Sequence, residues 1–351
     1  MTDSKQGSAL KEKSALRVRL SSIFSNQSAV LIVTLVVLGI FFNWGSGGIF
    51  LTSSLLGTVM DEWGAYILLA VGQLFVVITG GIDLSVGSTV SLSSVISGWT
   101  LINVFKVGPE ISGADANPYI FWVVVLSLAV GLVVGALNAF LINKLKIVPF
   151  IATLATMGAS NGIAVMITAG QPLQGPNNWE LGAPWAIGDF QLPMSTTVFA
   201  ALAIATIVGL FLHKSRFGLY TYSLGSNPFA TRGAGISVER QVTKVYMLAG
   251  GLAGLAGAYS YIRLGAGSNT SGMGMELYAI AAVVIGGASL MGGVGRVVGI
   301  ALGTLVLFVV QSGLLTMTVF EVSPDLKQVI VAILIAAAVA VQTLQNKNGR
   351  K

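Results

Sequence analysis

The sequence predicts an all-α polytopic membrane protein with about ten transmembrane helices and both termini in the cytoplasm. Composition gives the first indication: 54% of the residues are hydrophobic and 9% are charged, whereas about 25% of an ordinary soluble domain is charged. The second is a series of apolar runs close to the roughly 20 residues that cross a bilayer. The third is an unequal distribution of Lys and Arg between alternate loops, which sets orientation in the membrane.

The apolar runs divide the chain into two tails and a transmembrane region. Residues 1–26 and 345–351 are polar and form predicted cytoplasmic tails, and residues 27–344 form the transmembrane domain. Several spans are rich in Gly, Ala and Ser, which suits close packing of helices in lipid. The predicted spans are 27–43, 64–80, 86–104, 119–142, 147–168, 194–212, 244–262, 276–290, 295–317 and 327–344.

The basic residues support this arrangement. When the spans alternate in direction, sixteen of the nineteen Lys and Arg residues fall on the same side as the N-terminus. Cytoplasmic segments carry such an excess, so the count supports both the spans and the cytoplasmic termini. The net charge of +6 is spread over loops and tails and forms no stripe. A nucleic-acid partner is therefore not expected.

Two connections are too long to be simple turns. Residues 169–193 lie on the outer side and contain four prolines with Trp179 and Trp185, which favours an ordered external flap or a docking surface. Residues 213–243 lie on the inner side. Within them Asn227 followed by Pro228 is typical of a helix start, with Asn at the cap and Pro in the first turn.

The stretch VITGGIDLSVGS, residues 77–88, places an acid inside an apolar region. Asp83 followed by Ser85 resembles a helix start, so the preferred interpretation is a carboxylate that caps the third helix near the cytoplasmic ends of spans two and three. The alternative is an ion or proton site, because a carboxylate in hydrocarbon is costly. No second acid lies nearby in sequence to support that alternative. The motif residues are Gly80, Gly81, Asp83, Ser85 and Gly87.

Other polar residues at membrane depth have two possible uses. They can hydrogen-bond between helices, which is the commoner use, or contact a hydroxylated solute. Arg263 and Glu276 border a predicted outer loop and either pair with each other, meet an external partner or are solvated. The polar residues in question are Gln73, Thr79, Asn138, Asn161 and Gln311.

A short internal similarity links two parts of the chain. VITGGIDLSVG begins at Val77 and VIGGASLMGGVG begins at Val284, each at the end of one span and the start of the next. Repeats are common in transporters. The match is either an internal repeat or a coincidence between two glycine-rich segments.

Enzymatic activity is a poor hypothesis for this sequence. It contains no Cys, and His213 is its single histidine, placed at a span end without an obvious nucleophile. No zinc-protease motif is present, and no metal site is expected. The dipeptide Gly-Lys is absent, so the phosphate loop of many ATPases cannot form.

Three motifs together resemble a known family. They are VITGGIDLSVGS, RFGLYTYSLGSNPFATRGAGISVER and ELYAIAAVVIGGASLMGGVGRVVG, in this order along the chain. They resemble the permease subunits of bacterial ABC importers for monosaccharides, of the ribose, galactose, xylose and galactofuranose type. The resemblance covers residues 27–344.

The resemblance implies a multi-pass subunit of the bacterial inner membrane that works with other proteins. The implied partners are a second permease copy or paralogue, a periplasmic sugar-binding protein and ATP-binding cassette subunits. ATP and Mg would bind the ATPase subunits and no cofactor would bind this chain. Thr231 stands where the family usually has a small residue such as alanine. By resemblance, the ATPase-coupling contact comprises Gly225, Asn227, Pro228, Ala230, Gly233, Gly235 and Ile236.

The expected mechanism is alternating access, in which the ATPase subunits move the coupling segment and the two bundles rock. Thr79, Ser88 and Asn161 are candidates to line the translocation path. Two rival functions are a self-contained ion-coupled sugar carrier and a membrane receptor or scaffold without transport. The scarcity of acids within the spans counts against the ion-coupled carrier, which would need carboxylates for its coupling ion.

Overall fold

Helices dominate the residues that the computed structural model describes, which are 27–177, 179–180, 184–187 and 190–318, with 326, 329, 330, 332, 333 and 336. The strands are β1 (Leu173–Gln174), β2 (Pro184–Ile187), β3 (Phe190–Ser195) and β4 (Ala266–Gly267), and a 3-10 segment covers Gly113–Tyr119. The helices are α1 (Gln27–Gly45), α2 (Ser53–Ile78), α3 (Val86–Asn103), α4 (Ile120–Asn143), α5 (Pro149–Thr168), α6 (Thr196–Lys214), α7 (Arg216–Ser226), α8 (Pro228–Gly233), α9 (Val238–Leu264), α10 (Met275–Ile285) and α11 (Val297–Thr316).

The structure confirms a polytopic helical protein. Seven helical segments in the described part of the chain are long and apolar enough to cross a membrane, and α10 is a shorter apolar helix. The third predicted span corresponds to helix α3. This helix is not among the seven, because its serines and threonines lower its mean hydropathy. The tenth predicted span, 327–344, lies largely outside the described residues, as do the predicted tails 1–26 and 345–351. The count of ten therefore stays a prediction.

Some helix boundaries differ from the predicted spans. The helix α2 begins at Ser53 instead of residue 64, because it continues through the acids Asp61 and Glu62 beyond the apolar run. The helix α9 begins at Val238 instead of residue 244 for the same reason. In the other direction, α10 ends five residues before the predicted residue 290, where a pair of glycines interrupts it.

The two similar glycine-rich motifs end their helices with the same backbone structure. In each, a glycine with positive φ donates to a carbonyl three residues back, and the next residue donates to one five residues back, over 2.9–3.0 Å. The glycines are Gly80 (φ 80°) after α2 and Gly287 (φ 87°) after α10, and side chains with a Cβ disfavour this conformation. This is the Schellman arrangement, so the internal similarity corresponds to a repeated local structure.

The centre of the bundle is formed by α2 and α9. Burial within the chain reaches 83% of the apolar window in both helices, against 17–33% in α1, α4, α5 and α6. Helix α9 crosses α4 closely because both present glycines four residues apart, which lets backbones approach in lipid. A Cβ on Gly131 would overlap the carbonyl of Gly250 on the opposite helix.

The chain after α9 does not form the expected outer loop. Residues 265–274 run beside α3, where the N–H of Gly272 donates to Ser91 Oγ at 2.9 Å. A Cβ on Gly267 would lie 2.6 Å from the carbonyl of Ser94, so the two segments are in direct contact. The composition of this segment, rich in Gly and Ser, suggested solvent exposure, but the small residues serve close packing instead.

The long connections lie at opposite ends of the bundle, because α6 runs between them. We call these the 169–193 end and the 213–243 end. At the first, β1 pairs with β4 and β2 pairs with β3, both antiparallel. Trp179 is buried and its Nε1 donates to the carbonyl of Pro176 at 2.8 Å. The described part of this connection is therefore ordered, as predicted.

The crossing of α4 and α9 gives a stability prediction. We expect Gly131→Ala to lower the free energy of unfolding by about 1–3 kcal/mol, because the added methyl group forces two packed backbones apart. Thermal unfolding of the purified protein in detergent measures the change. Gly39→Ala is the matched control, since the nearest side-chain atom to a Cβ there is 4.0 Å away. Equal midpoints for the two variants would contradict this account of the crossing.

Candidate functional site

Asp83 lies in the irregular segment between α2 and α3 and is 1% exposed. Its Oδ1 accepts hydrogen bonds from the N–H of Ser85 at 2.8 Å and from Ser85 Oγ at 2.6 Å. Ser85, not Asp83, occupies the N-cap position of α3, and its side chain makes no capping bond to the helix. The prediction of an Asp83 cap is therefore wrong in detail: the carboxylate bonds the chain two residues ahead and fixes the turn that leads into the helix.

A buried network connects this turn to three helices. Ser85 Oγ accepts from Asn138 Nδ2 of α4 at 2.8 Å, and Asn138 Oδ1 accepts from Thr156 Oγ1 of α5 at 2.5 Å. On the α2 side, the orientation of the Gln73 side-chain amide, which decides which end atom is nitrogen and which is oxygen, is assigned from its hydrogen bonds. Its nitrogen donates to the carbonyl of Asp83 at 3.1 Å and its oxygen accepts from the Asp83 N–H at 3.2 Å. Gln73 and Asn138 thus serve interhelical bonding.

The second carboxylate oxygen of Asp83, Oδ2, differs from Oδ1 in its hydrogen bonding. Among the described residues, neither Asp83 Oδ2 nor Tyr246 Oη has a hydrogen-bond partner, although both are buried. The two residues are close, since a Cβ on the nearby Gly81 would lie 2.6 Å from Tyr246 Oη. Position 81 therefore requires a glycine, because a larger side chain would collide with Tyr246 of α9.

The three sequence motifs meet at the 213–243 end. The N–H of Gly293 donates to the carbonyl of Ile78, the last residue of α2, at 2.8 Å. A Cβ on Gly225 of α7 would overlap that carbonyl and lie 2.6 Å from the Gly293 nitrogen. Tyr222 Oη adds a bond of 2.6 Å to the carbonyl of Gly295. The motifs at 77–88, 216–240 and 276–299 are thus joined by contacts that involve their backbones.

The structure gives Gly225 a role within this chain. The residue, which the resemblance assigns to the ATPase contact, is half-buried and packed between Ile78 and Gly293. A glycine is needed there because only hydrogen fits between the two backbones. The residue therefore fixes the coupling segment to the bundle.

The rest of the predicted contact protrudes from the bundle on α8. Asn227 Oδ1 accepts from the N–H of Ala230 at 3.0 Å, and Pro228 occupies the first helical position, as the sequence predicted. Thr231 faces inward and is 4% exposed. Its small hydroxyl side chain is therefore compatible with this fold. The residues turned outward include Asn227, Pro228, Ala230, Gly233 and Gly235, whereas Ile236 is half-buried.

The three predicted path residues differ in their exposure within this chain. Ser88 is buried and its Oγ donates to the carbonyl of Ser85 at 2.8 Å. Thr79 is half-buried and its Oγ1 donates to the carbonyl of Val76 at 2.7 Å. Asn161 lies on the exposed face of α5, at roughly the middle of that helix.

Comparison with known proteins identifies the family. Residues 55–339 match the family described as "Branched-chain amino acid transport system / permease component". The chain belongs to this permease family. It is 34% identical over 342 residues to the galactose/methyl galactoside import permease of Haemophilus influenzae, which covers 95% of this chain and 98% of the relative. No solved structure matches the chain.

Two further relatives of this permease come from Escherichia coli. The ribose import permease is 35% identical over 294 residues, covering 83% of this chain and 86% of the relative. The D-allose transport system permease is 29% identical over 326 residues, covering 93% and 94%. These two matches cover 83% and 93% of the chain, so the similarity extends over most of its length. The relatives are named as transport permeases and not as enzymes.

Sequence reasoning missed two features of this permease. Phe229 is 88% exposed at the tip of α8, and an aromatic residue beside the capping Asn-Pro pair was the available signal. Arg263 pairs with Glu62 at 3.6 Å instead of Glu276. The separation of nearly 200 residues between the partners gave no local signal for this pair.

The turn at Asp83 gives a test that separates hydrogen bonding from charge. We expect Asp83→Asn to keep most of the stability, because an amide oxygen can accept the same two bonds. We expect Asp83→Leu to lose about 1–3 kcal/mol, because the N–H and Oγ of Ser85 lose their acceptor while buried. Thermal unfolding in detergent measures both. Asp115→Leu, at an exposed aspartate, is the control, and full stability of Asp83→Leu would refute the assignment.

Proposed function

We propose that this permease is the membrane-spanning subunit of an ATP-driven importer that carries a monosaccharide delivered by a periplasmic binding protein. The observation that carries the proposal is the joined set of motifs at the 213–243 end, which fixes a capped and exposed helix to the end of α2. Such a helix is suited to receive movement from a separate subunit.

The substrate class is inferred from the relatives. The family description refers to branched-chain amino acids, but the relatives matched over more than 90% of both chains are named for galactose/methyl galactoside import and D-allose transport. A similarity over more than 90% of both chains supports a monosaccharide more strongly than a family title does. The same names count against the ion-coupled carrier, since they describe permease subunits of import systems.

The proposed orientation rests on charge. The inner membrane is the location expected of this importer class, and the excess of Lys and Arg supports a cytoplasmic location for the 213–243 end and both termini. The 169–193 end then faces the periplasm and its binding protein. In this arrangement α8 projects toward the compartment that contains ATP.

The ATPase subunit is proposed to contact α8. Phe229 provides a large exposed apolar side chain, and exposed aromatic residues of this kind are typical anchors in protein interfaces. The ion pair between Arg232 and Glu239, at 2.6 Å, braces α8 against the start of α9. ATP and Mg bind the ATPase, and this chain transmits the movement.

The second permease copy or paralogue is proposed to cover the exposed face of α5. This face carries Gly158 and Gly162, four residues apart, and a Cβ on either would meet no atom within 4 Å. Small residues at this spacing favour helix association in lipid. Asn161 lies on the same face, and an amide exposed to lipid at mid-membrane is costly unless a partner or a water-filled path meets it.

The assembly can be tested directly. We expect the tagged protein, purified from its native membrane in mild detergent, to bring an ATPase and a second permease chain. Phe229→Ala should reduce the recovered ATPase at least tenfold, because it removes the exposed anchor without disturbing packing. Trp44→Ala is the control, an aromatic residue that is 65% exposed at the other end of the bundle. Quantitative mass spectrometry measures the ratio. Undiminished ATPase with Phe229→Ala would reject the proposed contact.

The α5 contact can be tested by cross-linking, because the chain contains no Cys. We expect Asn161→Cys to form a disulfide with a second copy carrying the same change, or to react with a paralogous permease through a short thiol-directed cross-linker. Val133→Cys is the control, at a lipid-facing site on α4 that is 67% exposed. Non-reducing gels with mass spectrometry detect the product. Equal cross-linking at the two positions would reject a specific α5 interface.

A further inference from the structure

A polar cavity of about 170 Å³ lies between helices at the 169–193 end. Glu62 and Tyr66 of α2 line one wall, and Tyr259 and Arg263 of α9 line another. The remaining walls come from the segment 265–274, the first residue of α10, and α11. The cavity is separate from the coupling contact, which lies at the opposite end of the bundle.

Two buried polar atoms of the cavity lining have no hydrogen-bond partner within the described part of the chain. They are Ser271 Oγ and Gln311 Oε1. A buried polar group without a partner is costly and normally finds protein or water. The two residues lie on different elements and line the same space, so a polar guest in that space is close to both side chains. Folding alone gives no reason to keep two such groups, because apolar replacements of similar shape avoid the cost.

The charged pair at this cavity, Glu62 and Arg263, can also form hydrogen bonds with a guest molecule. Arg263 Nη2 and Glu62 Oε1 are 3.6 Å apart, which exceeds the usual 2.7–3.2 Å of a hydrogen bond. A guanidinium offers several donors and a carboxylate several acceptors. A molecule with neighbouring hydroxyl groups can accept from Arg263 and donate to Glu62 at the same time.

Aromatic rings give the cavity an apolar side. The centroids of Tyr66 and Phe308 are 4.4 Å apart, and Tyr278 lies behind Tyr66 at 5.7 Å. Tyr259 is held in place, since its Oη donates to the carbonyl of Asp61 at 2.8 Å. The cavity thus combines an aromatic wall with several polar groups, and small-molecule sites use both to hold and orient a ligand.

We propose that this cavity is a monosaccharide subsite within a single permease chain, occupied as sugar enters from the 169–193 end. The inference rests on the proposed function. Hydroxyl groups of the sugar donate to Gln311 Oε1 and exchange hydrogen bonds with Ser271 Oγ, while Glu62 and Arg263 hold a neighbouring pair of hydroxyls. The ring carbons of the sugar lie against the aromatic side. Sugar selection is then shared between the binding protein and this cavity.

The test compares transport with stability. The complete importer is reconstituted in vesicles with its ATPase and binding protein, and uptake of labelled D-ribose, D-galactose and D-allose is measured. We expect Gln311→Leu and Ser271→Ala each to reduce the uptake rate about three- to tenfold, the effect of one lost hydrogen bond. The same changes should keep or raise the unfolding temperature, because each removes an unpaired buried group. Ser271→Thr, which keeps the hydroxyl, should retain uptake.

The controls separate this inference from the proposed function. Ser312→Ala changes a buried serine on α11 next to Gln311 that does not line the cavity, and it should leave uptake unchanged. Uptake of none of the three sugars by the unaltered importer would overturn the proposed substrate class and the sugar subsite with it. If the unaltered importer takes up sugar and both Gln311→Leu and Ser271→Ala take it up at the same rate, the subsite alone would be overturned. A parallel loss of uptake and stability in these variants would assign both residues a structural role and would also overturn it.

Discussion

The constraint that governs this structure is that backbone N–H and C=O groups in lipid must be satisfied within the protein. The chain nevertheless leaves helical geometry at 79–85, 265–274 and 286–296. Some backbone groups of these segments are bonded by side chains of neighbouring helices or by another segment. Gln73 bonds both backbone groups of Asp83, Ser91 Oγ accepts from the N–H of Gly272, and the N–H of Gly293 donates to the carbonyl of Ile78.

The irregular segments also determine where the bundle is tied together. In a regular helix the backbone N–H and C=O groups are bonded within the helix. Where a helix ends, a carbonyl or an N–H remains that can form a hydrogen bond with a neighbouring element. The carbonyl of Ile78 accepts from Gly293 for this reason, and Gly225 packs against the same atom. The coupling segment is thus attached through backbone, which is less deformable than a contact between long side chains.

The sequence predicted those features that depend on neighbouring residues. Apolar runs located most helices, and the Asn-Pro pair located α8, because both signals are local. Composition misjudged 265–274, because a segment rich in Gly and Ser suggested a solvated loop, whereas its small residues pack against α3. Contacts between distant residues, such as Glu62 with Arg263, depend on how helices are arranged and leave no local pattern. The role of Asp83 was partly predictable, because its short-range bonding follows from its position before a helix.

The two ends of the permease are connected by the same helices. Glu62 at the cavity and Ile78 at the coupling segment belong to α2, sixteen residues or about 24 Å apart along a rigid element. Helix α9 likewise carries Arg263 at one end and the Glu239 that braces α8 at the other. A displacement of the coupling segment that tilts α2 against α9 therefore changes the separation of Glu62 and Arg263. That pair is already loose at 3.6 Å, so a small tilt is enough to alter which hydrogen bonds it can offer to a guest.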